Sequence, residues 1–474
     1  MDNSLNFQEM PEVQKNRWKI FFSVALFTFM ATLDGSIINI ALPTIAKDFG
    51  VNTNQIIWVV AFYMMTICVL LIFFGKLGDI FGKIKIFRIG VILFLFGSIL
   101  SGFSTSLDQL ITFRIFQAIG SAMTMSTNLG IIAEVFTVQD RAKALGFVGS
   151  MVSLGTITGP SIGGVIVEHL SWSYIFWLNV PFGLFTIYLG SRYLPKDINT
   201  TKTPVDFIGF ALYACFIISF FGAMFLAQEI GFDKPKIHLL FASSIIFLVV
   251  FIRVELRRKF PLLELKIFKN KPVTYGLICA FLIFLSNFLF YIIMPFYLQD
   301  ARGFNASHAG FLVMIFPIVM VVASPIAGSF VNKIGATKMA SIGLFVVMFA
   351  HGLLIFIDIE TPIILFCFIV AILGLGNSLF QPSNNSIIMG SVDKKQLGIV
   401  GSINALARNI GNITGVAFST TILFAAMSYK YGSHLSTYLE DKADIFIFGM
   451  HVTFTFSFLA LLCAFLLSLN RPKH

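Results

Sequence analysis

Residues 20–46 read IFFSVALFTFMATLDGSIINIALPTIA, a long apolar run interrupted by a single charged residue, Asp34. A helix needs about 20 apolar residues to cross a bilayer. Lys15, Arg17 and Lys19 precede the run, as basic residues precede a secretory signal. A signal's apolar region is only about 7–15 residues long and is followed by a small-residue cleavage site. Neither condition is met, so this run is expected to be the first of several spanning helices.

The same reading extends along the chain. A soluble domain carries about 25% charged residues, whereas this one carries 12%, with 57% hydrophobic residues and 56 phenylalanines. Apolar segments fall near 20–45, 56–75, 86–104, 109–133, 142–167 and 172–193, then 207–228 and 237–252. Six more fall near 273–298, 308–331, 338–357, 362–388, 398–426 and 446–469. Cys68, Cys215, Cys279, Cys367 and Cys463 all lie inside these runs without metal-ligand spacing, and are expected to be small buried apolar residues.

Lys and Arg set the orientation, because they concentrate in cytoplasmic loops. With both termini inside, the inner loops include Lys76, Lys83, Lys85 and Arg88, then Arg141 and Lys143, and seven basic residues between 253 and 271. The outer loops hold only Lys47, Lys234, Lys236, Arg302, Lys430 and Lys442. This asymmetry accounts for the net charge of +10 without a nucleic-acid partner. The loops before 207 and after 252 are both basic, so an even number of crossings separates them. The expected fold is an all-α membrane protein of fourteen transmembrane helices with cytoplasmic termini. Two six-helix bundles, 1–195 and 271–474, flank a two-helix insertion at 196–270 with basic cytoplasmic linkers.

An internal repeat supports two parallel halves. GKLGDIFG at 75–82 follows the second segment, and GSFVNKIG at 328–335 follows the second segment of the last six. Repeated halves around a midplane site are a transporter signature.

Asp34 is the most informative residue. An ionisable group at that depth costs roughly 3 kcal/mol on insertion scales and usually faces a polar cavity. Loss of water disfavours the charged carboxylate, which suits a proton carrier or a counter-ion for a cationic substrate; a structural tie to Arg114 is the plain alternative. Arg114 lies in the fourth segment, on one face with Gln117 and Ser121 and in the same outer half of the membrane as Asp34. The fifth segment holds Gly155, Gly159, Pro160, Gly163 and Gly164. Glycines at this spacing let a helix approach closely, and Pro160 removes a backbone hydrogen bond. In the loop 75–88, Gly75 and Gly82 serve tight turns, Asp79 could cap a helix N-terminus, and Glu134 could pair with Lys83 or Arg141. Asn377, Gln381, Asn384 and Asn385, with Asn404, Arg408, Asn409 and Asn412, either line a cavity or bond helix to helix; spacing does not separate the two. Asn287 and Tyr291 form a similar pair on one face. No GxxxxGK[ST] or HExxH occurs, the seven histidines do not cluster, and no serine-nucleophile motif stands out. An enzyme, a metal site and a bound cofactor are not expected.

At these residues the chain resembles the fourteen-helix drug:proton antiporter branch of the major facilitator superfamily. The family's LDxTxxNxALPxI corresponds to 33–45, with Ser36 for Thr. Its loop pattern keeps Asp79 and Gly82 but has Ile80 and Ile84 for basic residues. Its RxxQGxG has Ala118 for the first Gly, GxxxGPxxGG matches throughout 155–164, and 172–183 matches through Phe176, Asn179 and Pro181. The resemblance implies proton-driven export by alternating access in a plasma membrane, expected to be the bacterial cytoplasmic membrane. It implies Asp34 and Arg114 in proton coupling, with Met30, Asp34, Ile38, Gln117, Asn287, Tyr291, Asn377 and Gln381 at substrate. Gly75, Asp79, Gly82, Lys83, Glu134 and the 155–164 glycines and proline would control conformation. The expected partners are lipophilic small molecules, protons and membrane lipid, acting on a monomer, with the proton gradient in place of a cofactor. The tenth segment has no acid between 363 and 391, which argues against dications. One specific antibiotic, lipid or metabolite is the alternative substrate. A flippase should need a basic headgroup cluster, for which only Arg114 and Arg408 are candidates.

Overall fold

The structure, a computed structural model, describes residues 7–51, 53–198, 204–231, 233–263, 265–304, 306–392, 397–433, 435 and 442–470. No strand occurs among them, and every apolar segment read from the sequence coincides with helix apart from a few residues at its ends. In order these are α1 (Pro11–Phe49), α2 (Thr53–Phe81), α3 (Lys83–Gly102), α4 (Leu107–Val135) and α5 (Val138–His169). They continue as α6 (Ser173–Trp177, resumed at Asn179–Tyr193), α7 (Phe207–Ile230), α8 (Pro235–Arg257), α9 (Lys271–Phe296) and α10 (Ala306–Ile334). The last four are α11 (Ala336–Leu354), α12 (Ile363–Gly390), α13 (Leu397–Tyr431) and α14 (Ala443–Leu469).

Twelve helices among the described residues are long and apolar enough to cross a membrane. α4 and α5 are long enough, at 29 and 32 residues, but are not among the twelve. The lower apolarity of α4 has a source in its composition, with Arg114, Gln117 and many Ser and Thr residues, whereas α5 includes side chains outside the described residues.

Local chemistry places the helix ends. The Ser106 hydroxyl accepts from Gln109 N at 3.4 Å at the start of α4, and Asp206 Oδ1 accepts from Gly209 N at 2.9 Å at the start of α7. Gly50, in the left-handed region at φ 65°, ends α1. Pro235 opens α8, where its missing N–H costs nothing.

The chain divides into two units, Met1–Asn270 with Met389–Leu406, and Lys271–Ile388 with Ala407–His474. In the first, α1 packs on α5 and α6, and α4 on α2 and α3. The insertion helix α7 packs on α2, with Tyr213 Oη donating to Cys68 O at 3.1 Å and Phe73 stacked on Phe210 at 4.3 Å. In the second unit α14 packs on α9 and α11 around Ile283, Phe290, Phe316, Val347, Phe380 and Phe454.

The internal repeat extends beyond the loops. The offset that relates Gly75 to Gly328 also relates Gly82 to Gly335, Gly90 to Gly343 and Asp34 to Asn287. Gly82 and Gly335 both take positive φ, at 102° and 93°, where a side chain would be strained. A Cβ on Gly90 would lie 2.9 Å from Gly120 O, and one on Gly343 would lie 2.8 Å from Gly376 O. The same close crossing of α3 on α4 therefore recurs as α11 on α12.

One sequence expectation is corrected. Cys68 and Cys279 are buried, but Cys367 is half-buried and Cys215 and Cys463 are exposed. A thiol is apolar enough to stand among side chains such as Phe96, Tyr188 and Phe368, which are also exposed. In a chain surrounded by acyl chains, an apolar context does not distinguish core from exterior.

The α3–α4 crossing yields a prediction. A Cβ at Gly120 would lie 2.8 Å from Phe94 Cα, with no flexible side chain to yield. Gly120→Ala should destabilise the purified protein by about 1–3 kcal/mol, the usual cost of overpacking, measured as a lower Tm in detergent. Gly222→Ala, with nothing within 4 Å, should leave Tm unchanged or slightly raised.

Candidate functional site

The site is built on α1. Its helix keeps Asp34 buried at 1% exposure, deep in a span, because neighbouring helices supply polar partners at that depth. Arg114 Nη1 of α4 lies 2.6 Å from Asp34 Oδ2. Gln117 Nε2, one turn along α4, donates to Asp34 Oδ1 at 2.9 Å. Asn179 Nδ2, at the resumption of α6, donates to the same oxygen at 2.8 Å. Ser98 Oγ of α3 accepts from Gln117 at 2.9 Å and Asn179 at 2.8 Å, and donates to Phe176 O at 3.2 Å. Three helices thus meet at one carboxylate, and α3 holds two of its partners through Ser98.

Arg114 is fully buried and only partly satisfied. Nη1 also donates to Gln117 Oε1 at 2.6 Å, while Nε and Nη2 have no acceptor. The guanidinium lies over the Tyr63 ring at 3.9 Å and faces Phe176 at 5.7 Å, so aromatic faces cover part of the charge. Breaking a buried pair by removing one partner leaves an uncompensated charge. Protonation of Asp34 would do the same, since it removes the only carboxylate facing Arg114 in this network.

Glycines seat α1 on α5. A Cβ on Gly155 would lie 2.6 Å from Phe29 O, one on Gly159 2.9 Å from Ile37 N, and one on Gly163 2.6 Å from Ile37 Cγ1. Ser36 Oγ lies 3.0 Å from Gly155 O, two residues from Asp34. Gly164 differs, with open space where its Cβ would be. Pro160 lies within α5, and its side chain falls outside the described set. The stretch 159–163 also reads formally as GxSxG, but it lies inside a helix and not at the strand-to-helix turn that such a nucleophile needs.

The stretch read as a loop is mostly helical, with Gly75 and Asp79 inside α2, Lys83 opening α3 and only Gly82 at the turn between them, and its residues form a second cluster. Lys83 Nζ lies 2.7 Å from Glu134 Oε1 and 3.1 Å from Asp79 Oδ1. Arg141 takes a different partner, donating to Ala133 O at 2.8 Å. The cap at the start of α3 comes from Asp197, whose carboxylate accepts from Ile84 N at 2.9 Å and Lys85 N at 3.0 Å. Gly75 lies against Ser402, whose hydroxyl donates to Ser126 O at 2.9 Å.

In the second unit Asn287 and Asn377 form a reciprocal amide pair at 2.7 and 3.2 Å, and both are buried. Tyr291 is half-buried against Phe288, Phe290 and Phe316, and Gln381 is half-buried. Met30 and Ile38, one turn either side of Asp34, are buried within the first unit. Asn384 Nδ2 donates to Gly276 O at 3.0 Å. The amide pair and Asn384 thus bond helix to helix. Sequence reading missed Ser98, Tyr63 and Asp197, and assigned Asn179 no part beyond its motif. A serine or tyrosine within an apolar run carries no distinguishing signal, and Asp197 lies far along the chain from the helix it caps. No group of three or more His, Cys, Asp or Glu could hold a metal among the described residues.

The family model for the Major Facilitator Superfamily matches residues 24–416 and 276–473. The riboflavin transporter RibZ of Clostridioides difficile is 34% identical over 90% of this chain and 92% of that protein. The multidrug transporter protein MdtP of Bacillus subtilis is 30% identical over 91% of this chain and 79% of that protein. The crystal structure of the human organic anion transporter MFSD10 (TETRAN) shares the fold, with a TM-score of 0.65 at 15% identity, covering 97% of this chain and 100% of that one. The chain is therefore a multi-pass plasma-membrane transporter and not an enzyme, and it belongs to the major facilitator superfamily.

Proposed function

We propose that this transporter exports lipophilic, neutral or monocationic compounds in exchange for protons by alternating access. The observation that carries this reading is the buried Asp34–Arg114 pair, closed by Gln117, Asn179 and Ser98 on a helix seated against glycines. Protonating Asp34 discharges one side of the pair and weakens the tie between α1 and α4. A smooth glycine seam beside it lets α1 shift on α5. Proton uptake and helix movement are thereby linked through one side chain, with no cofactor beyond the proton gradient. Asp34 and Arg114 couple the proton. Met30, Ile38, Gln117, Asn287, Tyr291, Asn377 and Gln381 meet substrate when the site opens, and the Lys83–Asp79–Glu134 cluster holds the closed loop.

The multidrug name of one relative favours a broad lipophilic substrate range. The riboflavin name of another favours the second reading, a proton-coupled exporter of one specific compound such as an antibiotic, a lipid or a metabolite. In either case a monomer of fourteen crossings with cytoplasmic termini is proposed, with bundles 1–195 and 271–474 on either side of the 196–270 insertion in the sequence. α4 and α5 complete the count, because each exceeds 20 residues and their polar groups serve the site.

Three outcomes are expected. Energised cells carrying the wild type should expel rhodamine 6G, a protonophore should stop this, and Asp34→Asn should reduce export to background at equal expression. Persistent, proton-dependent export by the variant would sink the assignment. In thermal unfolding, Asp34→Asn should cost about 3–5 kcal/mol by leaving Arg114 unpaired, and adding Arg114→Gln should recover part of that loss. In a cysteine-free background, cysteines at Thr105 and Ser171 should react with an impermeant maleimide from outside, and one at Thr137 only after permeabilisation. Labelling of all three from one side would mean that α4 and α5 do not cross.

A further inference from the structure

Arg408 lies in α13, inside the apolar span Ile399–Tyr431. An arginine stays charged at any accessible pH, and a charge at that depth needs a partner or water. Arg114 has Asp34. Arg408 has no ion pair among the described residues; its Nε is shut from solvent without an acceptor, and its guanidinium faces the Phe284 ring at 5.8 Å.

Among the described residues, the spanning helices of the second unit offer no acid near it. α9 to α13 contain no Asp or Glu, and the one acid in α14, Asp444, is in its first turn, 3.2 Å from Lys430. One turn beyond Arg408 on the same face, Asn412 has a buried Oδ1 with no donor. Gly411 between them brings α13 onto α9, since a Cβ there would lie 2.6 Å from Phe281 O and 3.1 Å from Phe284 Cβ. A fixed cation, an unpaired amide and an aromatic face therefore stand together with no counter-charge among the described residues.

We propose that Arg408 and Asn412 form a subsite for an oxyanion, a carboxylate or phosphate-type group on a lipophilic molecule whose flat apolar part lies on Phe284. The guanidinium donates to the oxyanion, and the Asn412 amide bonds a neighbouring polar group. The proposal rests on the transporter reading and adds oxyanion-bearing molecules to the neutral and monocationic ones. The same chemistry could come from a solute or from a lipid headgroup.

The test uses the full chain in nanodiscs and radiolabelled 1-naphthaleneacetate, with neutral 1-naphthaleneethanol as its match. Arg408→Gln should weaken acetate binding about ten- to a hundredfold, the worth of a hydrogen-bonded charge, and leave the alcohol unchanged. Arg408→Lys should keep part of the affinity, and Asn412→Ala should lose a smaller part. Alcohol binding reports that each variant is folded. If phosphatidylglycerol in place of phosphatidylcholine displaces the acetate, the oxyanion is a lipid headgroup; if it does not, it is the solute. Equal acetate affinity in wild type and Arg408→Gln, or no acetate binding by the wild type in either lipid, overturns the subsite. A wild type that binds acetate through Arg408 yet expels no rhodamine 6G defeats the multidrug reading and leaves the subsite standing.

Discussion

A carboxylate and a guanidinium held out of water constrain the first unit more than any other interaction. Each buried ion costs several kcal/mol to desolvate, and the pair is tolerable only with good geometry and added hydrogen bonds. Asp34 gains these from Gln117 and Asn179, and Ser98 holds both amides in place. Those residues come from α1, α3, α4 and α6, so the four helices must meet at one depth. The two unpaired nitrogens of Arg114, resting against Tyr63, mark where the compensation is incomplete.

Close approach of helices makes the convergence possible. Gly90, Gly97 and Gly120 let α3 and α4 touch backbone to backbone, and Gly155, Gly159 and Gly163 do the same for α5 on α1. Without these contacts the side chains around Asp34 would not reach it. The second unit repeats the α3–α4 crossing in Gly343 and Gly376 but not the charge. Where the first half has Asp34, the second has Asn287, bonded to Asn377. A neutral amide pair does not respond to pH, so only one half carries the ionisable tie. The fixed charge of the second half, Arg408, cannot release a proton and is suited to binding instead.

The helices were legible because each needs a long apolar run, and such runs leave little ambiguity in a chain with 12% charged residues. Asp34 and Arg114 were legible for the converse reason, being charges where charges are costly. Ser98, Tyr63 and Asp197 were not. The first two are ordinary residues of apolar helices, and Asp197 acts on α3 only because the end of α6 returns to it. The cysteines failed differently, since lipid and protein core accept the same side chains.

By itself the amino-acid order determined where the helices run, which loops are basic, that two halves repeat, and which charges lie at depth. Those properties depend on local composition and on the cost of charge in hydrocarbon. Only the tertiary structure decided that Asp34 and Arg114 touch, that Asn179 and Ser98 close the ring around them, that Lys83 takes Glu134 while Arg141 takes a backbone carbonyl, and that Arg408 has no ion pair among the described residues. Most of these pairings join residues tens to more than a hundred positions apart, and they follow from how glycine-lined helices pack, which no local pattern encodes.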